Sequence, residues 1–273
     1  MQAVIDEFTK CSSHYPKIFK EAGKEFCDIL TLEEFDRIIT VLGIRPPFVS
    51  LVNGKRSISP MDYFFCHELI TQCANPSKMF DEFCDQGATI VVQHIHLISP
   101  TVRAFAEYLC RQIFPLSVQS NCYLAPDNAQ GVQPHIDQHH TLLLQISGRK
   151  RWCIWKNIDE DPDQPMINPG MRRELPIEIA ANSEPLLDVW VESGDFIFIP
   201  RGYIHTPYTG TSHSMHITFS IVDPGELTAA ELLYRRFISD RKITSLRDVS
   251  IMNELDELRH TEFMKPLGFI DLI

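Results

Sequence analysis

The stretch Gly131–Trp152 reads GVQPHIDQHHTLLLQISGRKRW, and the fold turns on how it is read. His135 and Asp137 stand two positions apart, just ahead of the apolar run Thr141 to Ile146. In extended chain, residues i and i+2 point to one face, so the imidazole and the carboxylate project together. A third candidate ligand stands 68 positions after Asp137, in GDFIFIPRGYIHTPY, where His205 follows another apolar strand. Two His and one carboxylate on adjacent strands form the facial donor set of non-haem Fe(II) sites, which leaves positions open for further ligands. His-x-Asp alone arises often by chance. The Gly-containing loop before His135 and the Pro200-Arg201-Gly202 turn before His205 give the pair its context.

Composition sets the class. The chain has 273 residues, 44% hydrophobic and 22% charged, which suits a globular protein with a sizeable core. Its net charge of -11 argues against a surface built to neutralise phosphates, so no direct nucleic-acid binding is expected. The eight Cys form no C-x-x-C pair and mostly sit in apolar stretches, the pattern of buried reduced thiols. The segment MQAVIDEFTK has acids and no long apolar run, and no stretch reaches the ~20 apolar residues of a membrane span. The expectation is a cytoplasmic protein with no membrane partner.

The order of elements supports a β core with helical flanks. Residues 1–86 read as a helical lead-in with a small β element. Thr31-x-x-Glu34 has capping-box spacing ahead of Phe35, Ile38, Ile39 and Leu42, and Gly43 can close that helix. Asn53-Gly54 between Phe48–Val52 and Arg56–Ile58 suggests a hairpin. A further helix is expected over 61–73, ending before Asn75-Pro76. From Gly87 the pattern changes to short strands: Ala88–Gln93, Ser120–Leu124, around His135, Thr141–Ile146, Arg151–Trp155, Leu187–Val191, Phe196–Ile199 and Ser214–Val222. One helix interrupts them, opened by Ser99-Pro100, with Val102, Phe105, Ala106, Leu109 and Ile113 on one face. Many short strands joined by turns argue for an antiparallel sandwich or barrel over residues 87–223. Asn157–Pro185 reads as a long acidic loop of the kind used as a lid. Residues 224–273 return to helix, with a second capping box at Thr228-x-x-Glu231 and a helix-like stretch from Val249 to Leu258.

GATIVV, NCYLAP, AQGVQPHIDQHHTLLLQISGRKRW, SGDFIFIPRGYIHTPYT and HSMHITFS together resemble the JmjC-type branch of the cupin superfamily, and within it the ribosomal oxygenase group of 2-oxoglutarate hydroxylases. The matching stretches run in family order from Gly87 to Ser220, about half of the chain. The resemblance implies a double-stranded β-helix (cupin/JmjC jelly roll). It implies iron ligation by His135, Asp137 and His205. Lys150 matches the residue that clamps the distal carboxylate of 2-oxoglutarate, with Tyr123 and Ser220 as helpers. The chemistry agrees, because a dicarboxylate held to Fe(II) by its 2-oxo-acid end leaves a distal carboxylate in need of a buried cation and hydroxyl donors. His139 continues the alternation of His135 and Asp137, and His216 shares the face of Ser220. With Gln138, these are the candidates for the substrate pocket. His140 should point away and serve structure.

The activity implied is that of an Fe(II)-, 2-oxoglutarate- and O2-dependent dioxygenase, an oxidoreductase that hydroxylates an amino-acid side chain in a protein or peptide. Two alternatives stand beside it, an N-methyl-lysine demethylase of the JmjC type and a non-catalytic cupin-like binding protein. A homodimer through the C-terminal helices is a further implication, although 224–273 is short for the winged-helix domain of the ribosomal oxygenases.

Overall fold

Every residue of Thr141–Ile146 is buried, so this strand has neighbours on both faces, and that sandwiching organises the architecture. The computed structural model describes residues 3–6, 15–67, 70–113, 117–137, 139–157 and 175–222. After a helical turn at 3–6, twelve strands and five α-helices follow one another in these residues: β1 (Lys17–Phe19), α1 (Leu32–Thr40), β2 (Val49–Val52), α2 (Pro60–Tyr63), β3 (Phe64–His67), β4 (Ile70–Ala74), α3 (Pro76–Gln86), β5 (Thr89–Val92), α4 (Pro100–Ile113), β6 (Ser117–Ala125), β7 (Thr141–Ser147), β8 (Arg149–Asn157), α5 (Leu175–Asn182), β9 (Leu187–Glu192), β10 (Phe196–Ile199), β11 (Tyr203–Thr209) and β12 (Ser214–Val222). None of the described helices is long and apolar enough to cross a membrane.

Seven strands make one antiparallel sheet in the order β1-β10-β7-β12-β6-β5-β2, and β11-β8-β9 make a second. A third pair, β3-β4, stands apart. The large sheet uses the two faces of each strand differently. Leu142, Leu144, Phe196, Phe198, Ile217 and Phe219 join the main core with Val102, Phe105, Ala106, Leu109 and Ile113 of α4. The alternate residues Leu143, Ile197 and Ile199 meet Trp152, Ile154 and Val191 of the small sheet. The result is a double-stranded β-helix with helices covering one outer face. Burying a large aliphatic or aromatic side chain contributes roughly 1.5–3 kcal/mol, and the α4 face alone supplies four, Val102, Phe105, Leu109 and Ile113.

Several local expectations meet their physical counterpart. The Thr31 hydroxyl accepts from Glu34 N, 3.1 Å away, and opens α1. Val41 rather than Gly43 is the residue that caps the end of α1. Among the described residues, Cys122 and Cys153 are buried free thiols and Cys84 is an exposed one.

Other expectations are corrected. Asn53-Gly54 does not turn a hairpin: β2 pairs with β5, and Gly54 N donates to Gln130 O at 2.9 Å. Arg56 pairs instead with Glu82. The helix expected over 61–73 is a four-residue turn capped by Ser59 that gives way to the β3–β4 hairpin. Asn75-Pro76, read as a stop, is the start of α3, with the Asn75 side chain accepting from Lys78 N. Of the loop expected over 157–185, residues 175–182 form α5. Strands of the lead-in join the large sheet, β1 on β10 and β2 on β5. The helices expected after Pro224 lie outside the described residues.

Candidate metal centre

The two candidate histidine ligands face one another through the backbone. His135 N donates to His205 O at 3.1 Å, and His205 N donates back to His135 O at 2.9 Å. This single antiparallel bridge is all the strand that forms around His135. Directly bridged residues project to the same side, and the two rings lie 4.3 Å apart between centroids. His205 lies within β11, next to a register shift against β8: Tyr203 pairs with Asn157, but His205 with Ile154. A bulge beside a site re-aims the side chain that follows it. Asp137 is anchored by Gly202 N, which donates to its carbonyl at 3.1 Å and so ties the Pro200-Arg201-Gly202 turn to the His-x-Asp loop.

The donor atoms converge. One ligand atom from each of His135, Asp137 and His205 lies within 4.8 Å of the others. Asp137 Oδ1 is 3.9 Å from His135 Nε2, and its Oδ2 is 3.6 Å from His205 Nε2. The Nδ1 of His135 lies 2.9 Å from Gln133 O, and that of His205 lies 3.0 Å from Tyr203 O. A carbonyl only accepts, so Nδ1 carries the proton in both rings and each Nε2 keeps its lone pair for a metal. Burial, reinforced by His135, pushes His205 down to about 4, which keeps the imidazole neutral. Burial would raise the Asp137 carboxyl, but His205, His135, His139 and Thr141 outweigh it and hold it below the ordinary value. Two imidazoles and one carboxylate on one side, without thiolate, fit an Fe(II)-type ion.

The centre opens into a pocket between the two sheets. The large sheet contributes Tyr123, Thr141, Leu143, His216 and Thr218, and the small sheet contributes Lys150, Trp152, His205 and Pro207. Register explains the small-sheet wall, since His205, Pro207 and Thr209 pair with Ile154, Trp152 and Lys150. The metal donors and the Lys150 amine therefore sit at the two ends of one strand pair. Gly148 makes the turn that sets Lys150, with φ +65; a Cβ there would meet His213 O at 2.2 Å. Burial depresses the Lys150 amine to about 7, offset in part by Cys122. Its Nζ lies 3.2 Å from His216 Nδ1. Burial, with the Asp137 charge adding to it, raises the Tyr123 hydroxyl, so it stays a protonated donor.

The remaining candidates divide. Ser220 is buried on the face of His216 and pairs with Thr141, but Thr218 is the β12 hydroxyl that lines the pocket. His139 is half-buried and near enough to act on Asp137, yet it does not line the pocket. Gln138 lies outside the described residues. His140 stacks on Phe198 at 5.9 Å, away from the centre. Sequence reasoning missed Thr89, Thr141, Trp152 and Thr218, which become neighbours only when the sheets face one another.

Residues 91–228 match the sequence pattern of the JmjC domain. The chain belongs to the JmjC domain family. Its relatives include the bifunctional lysine-specific demethylase and histidyl-hydroxylase NO66 of Caenorhabditis elegans, 37% identical over 150 residues, covering 48% of this chain and 19% of that protein. Ribosomal oxygenase 1 of Danio rerio is 30% identical over 198 residues, covering 70% of this chain and 33% of its own length. The JmjC chain described here thus spans between about a fifth and a third of these relatives. Among solved structures, Escherichia coli ycfD superposes with a TM-score of 0.53 over 96% of this chain and 68% of that chain, at 15% identity. The YcfD ribosomal oxygenase in complex with cobalt and 2-oxoglutarate gives a TM-score of 0.52 over 90% of this chain and 62% of that one, at 17% identity. At such identity the likeness is one of fold.

Proposed function

We propose that the chain is an Fe(II)- and 2-oxoglutarate-dependent oxygenase that hydroxylates an amino-acid side chain of a protein or peptide. The observation that carries this reading is one pocket lined both by the three converging metal donors and by Lys150, a buried amine with no carboxylate partner among the described residues. A buried ammonium without an anion is costly, and a bound dicarboxylate supplies the missing charge. When bound, iron and 2-oxoglutarate use O2 to place one oxygen atom in a C–H bond, with succinate and CO2 as the other products.

The chain's own residues then have definite tasks. His135, Asp137 and His205 hold the metal, their protons fixed on Nδ1 by Gln133 O and Tyr203 O. Lys150 binds the far carboxylate, with Tyr123 and Thr218 offering hydroxyls from the facing sheet. Leu143, Trp152 and Ile199 make an apolar sleeve between the two ends and keep water from the reacting centre.

The names of the relatives suggest histidine as the side chain hydroxylated, and the net charge of -11 suits a basic protein substrate such as a ribosomal protein. The double name of NO66 supports N-methyl-lysine demethylation as a second reading. The proposal extends to a cytoplasmic site of action and a homodimer built on residues 224–273, for which the support is the sequence pattern alone. The test is succinate formation from 2-oxoglutarate in air, followed by incubation with cell lysate and mass spectrometry of the peptides. A peptide that gains one oxygen is the expected result, and loss of a methyl group would shift the reading to demethylation. Folded, iron-loaded protein that makes no succinate would contradict both.

A further inference from the structure

The two histidines of the metal centre are held in unequal ways. His205 is buried, its side chain 4% exposed, and its Nδ1 partner Tyr203 O lies within the same strand, β11. His135 leaves 34% of its side chain exposed and stands outside any strand, so packing alone does not fix its ring. Its direction depends on Gln133 O, which takes the Nδ1 proton. That carbonyl belongs to a residue whose side chain reaches across to the large sheet: Gln133 Nε2 donates to Gly54 O at 2.5 Å. Gly54 follows β2, the end strand of that sheet, and its N donates to Gln130 O at 2.9 Å. The approach is close, because a Cβ on Gly54 would lie 2.8 Å from Gln130 O. Gly54 is thus clasped between Gln130 and Gln133. On the other side, Thr206 Oγ1 donates to Val132 O at 2.8 Å and ties the same segment to β11.

We infer that Gln133 is a positioning residue for the metal centre: its side-chain amide grips Gly54 and so holds the carbonyl that orients His135. The inference rests on the oxygenase reading above, through the metal that His135 would ligate. The residue type follows from the task. Gly54 O needs a donor, and an ionised acid has none to give. A lysine or arginine would donate, but would also set a positive charge beside the metal. A neutral amide of this length supplies the donor and no charge. The brace makes the loop after β2 part of the support of a ligand that lies 81 positions further along the chain.

The test compares Gln133→Leu, which loses the donor, with Gly54→Ala, which crowds Gln130 and loosens the clasp from the other side. Fe(II) affinity is measured anaerobically against a chromophoric chelator. Nitrogen NMR of the metal-free protein at pH 8 reads which ring nitrogen of His135 carries the proton. Gln133 is exposed, so the melting temperature of metal-free Gln133→Leu should stay as in the wild type. Its Fe(II) affinity should fall by roughly three- to tenfold, the loss of one hydrogen bond. Its His135 should lose the wild-type preference for a proton on Nδ1. Gly54→Ala should weaken Fe(II) as well, and the double variant should lose no more than the larger single loss, because both act through one brace. Unchanged Fe(II) affinity in Gln133→Leu overturns the inference and leaves the oxygenase reading in place. So does a fall in affinity with His135 still protonated on Nδ1, and so do losses that add in the double variant. Folded wild-type protein that binds no Fe(II) removes the oxygenase reading, and this inference with it.

Discussion

Thr141 Oγ1 donates to Asp137 Oδ2 across 3.3 Å, so the first residue of β7 holds the carboxylate of the candidate metal-binding trio. Thr141 is 2% exposed and paired on both sides, to Ile199 and Ser220, and it cannot swing away. Partners that orient a metal-binding carboxylate commonly change metal affinity by 10–100-fold. Thr141→Val keeps the shape and removes the donor. The expected result is about tenfold weaker Fe(II) binding with an unchanged melting temperature, measured by competition with a chromophoric chelator. Equal affinity in the two proteins would show that the hydroxyl does not position Asp137.

Lys150 gives a pH signature. Its amine sits near 7, because burial disfavours the ammonium. A bound carboxylate stabilises the ammonium, so cosubstrate binding takes up a proton above pH 7 and almost none at pH 6. The 2-oxoglutarate affinity should fall as pH rises past 7, by up to about tenfold per pH unit. Titrations at pH 8 in buffers of different ionisation enthalpy measure the uptake directly. In the ligand-free protein the sign for stability is the opposite. The unfolded chain holds this proton up to the ordinary lysine value and the folded one releases it near 7, so ligand-free stability gains from rising pH across that window. Lys150→Met should remove both effects.

Asp195 tests the structural side of the Gly194-Asp195 turn without touching the pocket. It is buried, and its carboxylate accepts from Lys20 Nζ at 2.7 Å, Glu21 N at 2.9 Å and Glu192 N at 2.8 Å. Burial would raise this carboxyl, but the hydrogen bonds outweigh it and hold it below the ordinary value. Its contribution is therefore present above the ordinary carboxylate range and lost as pH falls through the depressed value. Asp195→Ala should cost about 2–3 kcal/mol at neutral pH, because two backbone donors lose their acceptor. That deficit should shrink in acid, while Fe(II) affinity stays the same. Denaturant melts at pH 7 and pH 3 decide it.

Gly148 links stability to cosubstrate binding. Its φ of +65 and the 2.2 Å approach to His213 O exclude any side chain without a shift of the β7–β8 turn. Gly148→Ala should destabilise by about 1–3 kcal/mol and weaken 2-oxoglutarate more than iron, because the turn sets Lys150 and not the metal donors. A variant with wild-type stability would show that the turn relaxes freely.

Much of this was legible in the chain, for identifiable reasons. The α4 face follows from 3.6-residue spacing, whereas His135, Asp137 and His205 are only candidates from spacing, and the resemblance to the JmjC family singles them out. Legibility failed where a local signal had two meanings. Asn75-Pro76 ends one helix as readily as it starts another, and here it starts one. Asn53-Gly54 favours a hairpin, but the tertiary partner of β2 is β5. The run Thr141–Ile146 hides its alternation because apolar layers cover both faces, so the pocket residues Thr141 and Leu143 look like core. Thr218 was passed over for Ser220 because alternation identifies a face but not how far along it the pocket reaches.

The central claim is that one pocket binds iron at one end and a dicarboxylate at the other. Anaerobic calorimetry of 2-oxoglutarate binding, with and without Fe(II), in wild-type protein and in Asp137→Ala, tests it most directly. The prediction is one cosubstrate per chain, bound tightly only when iron is present, with the iron dependence abolished in the variant. Folded wild-type protein whose 2-oxoglutarate affinity is the same with and without iron would contradict it.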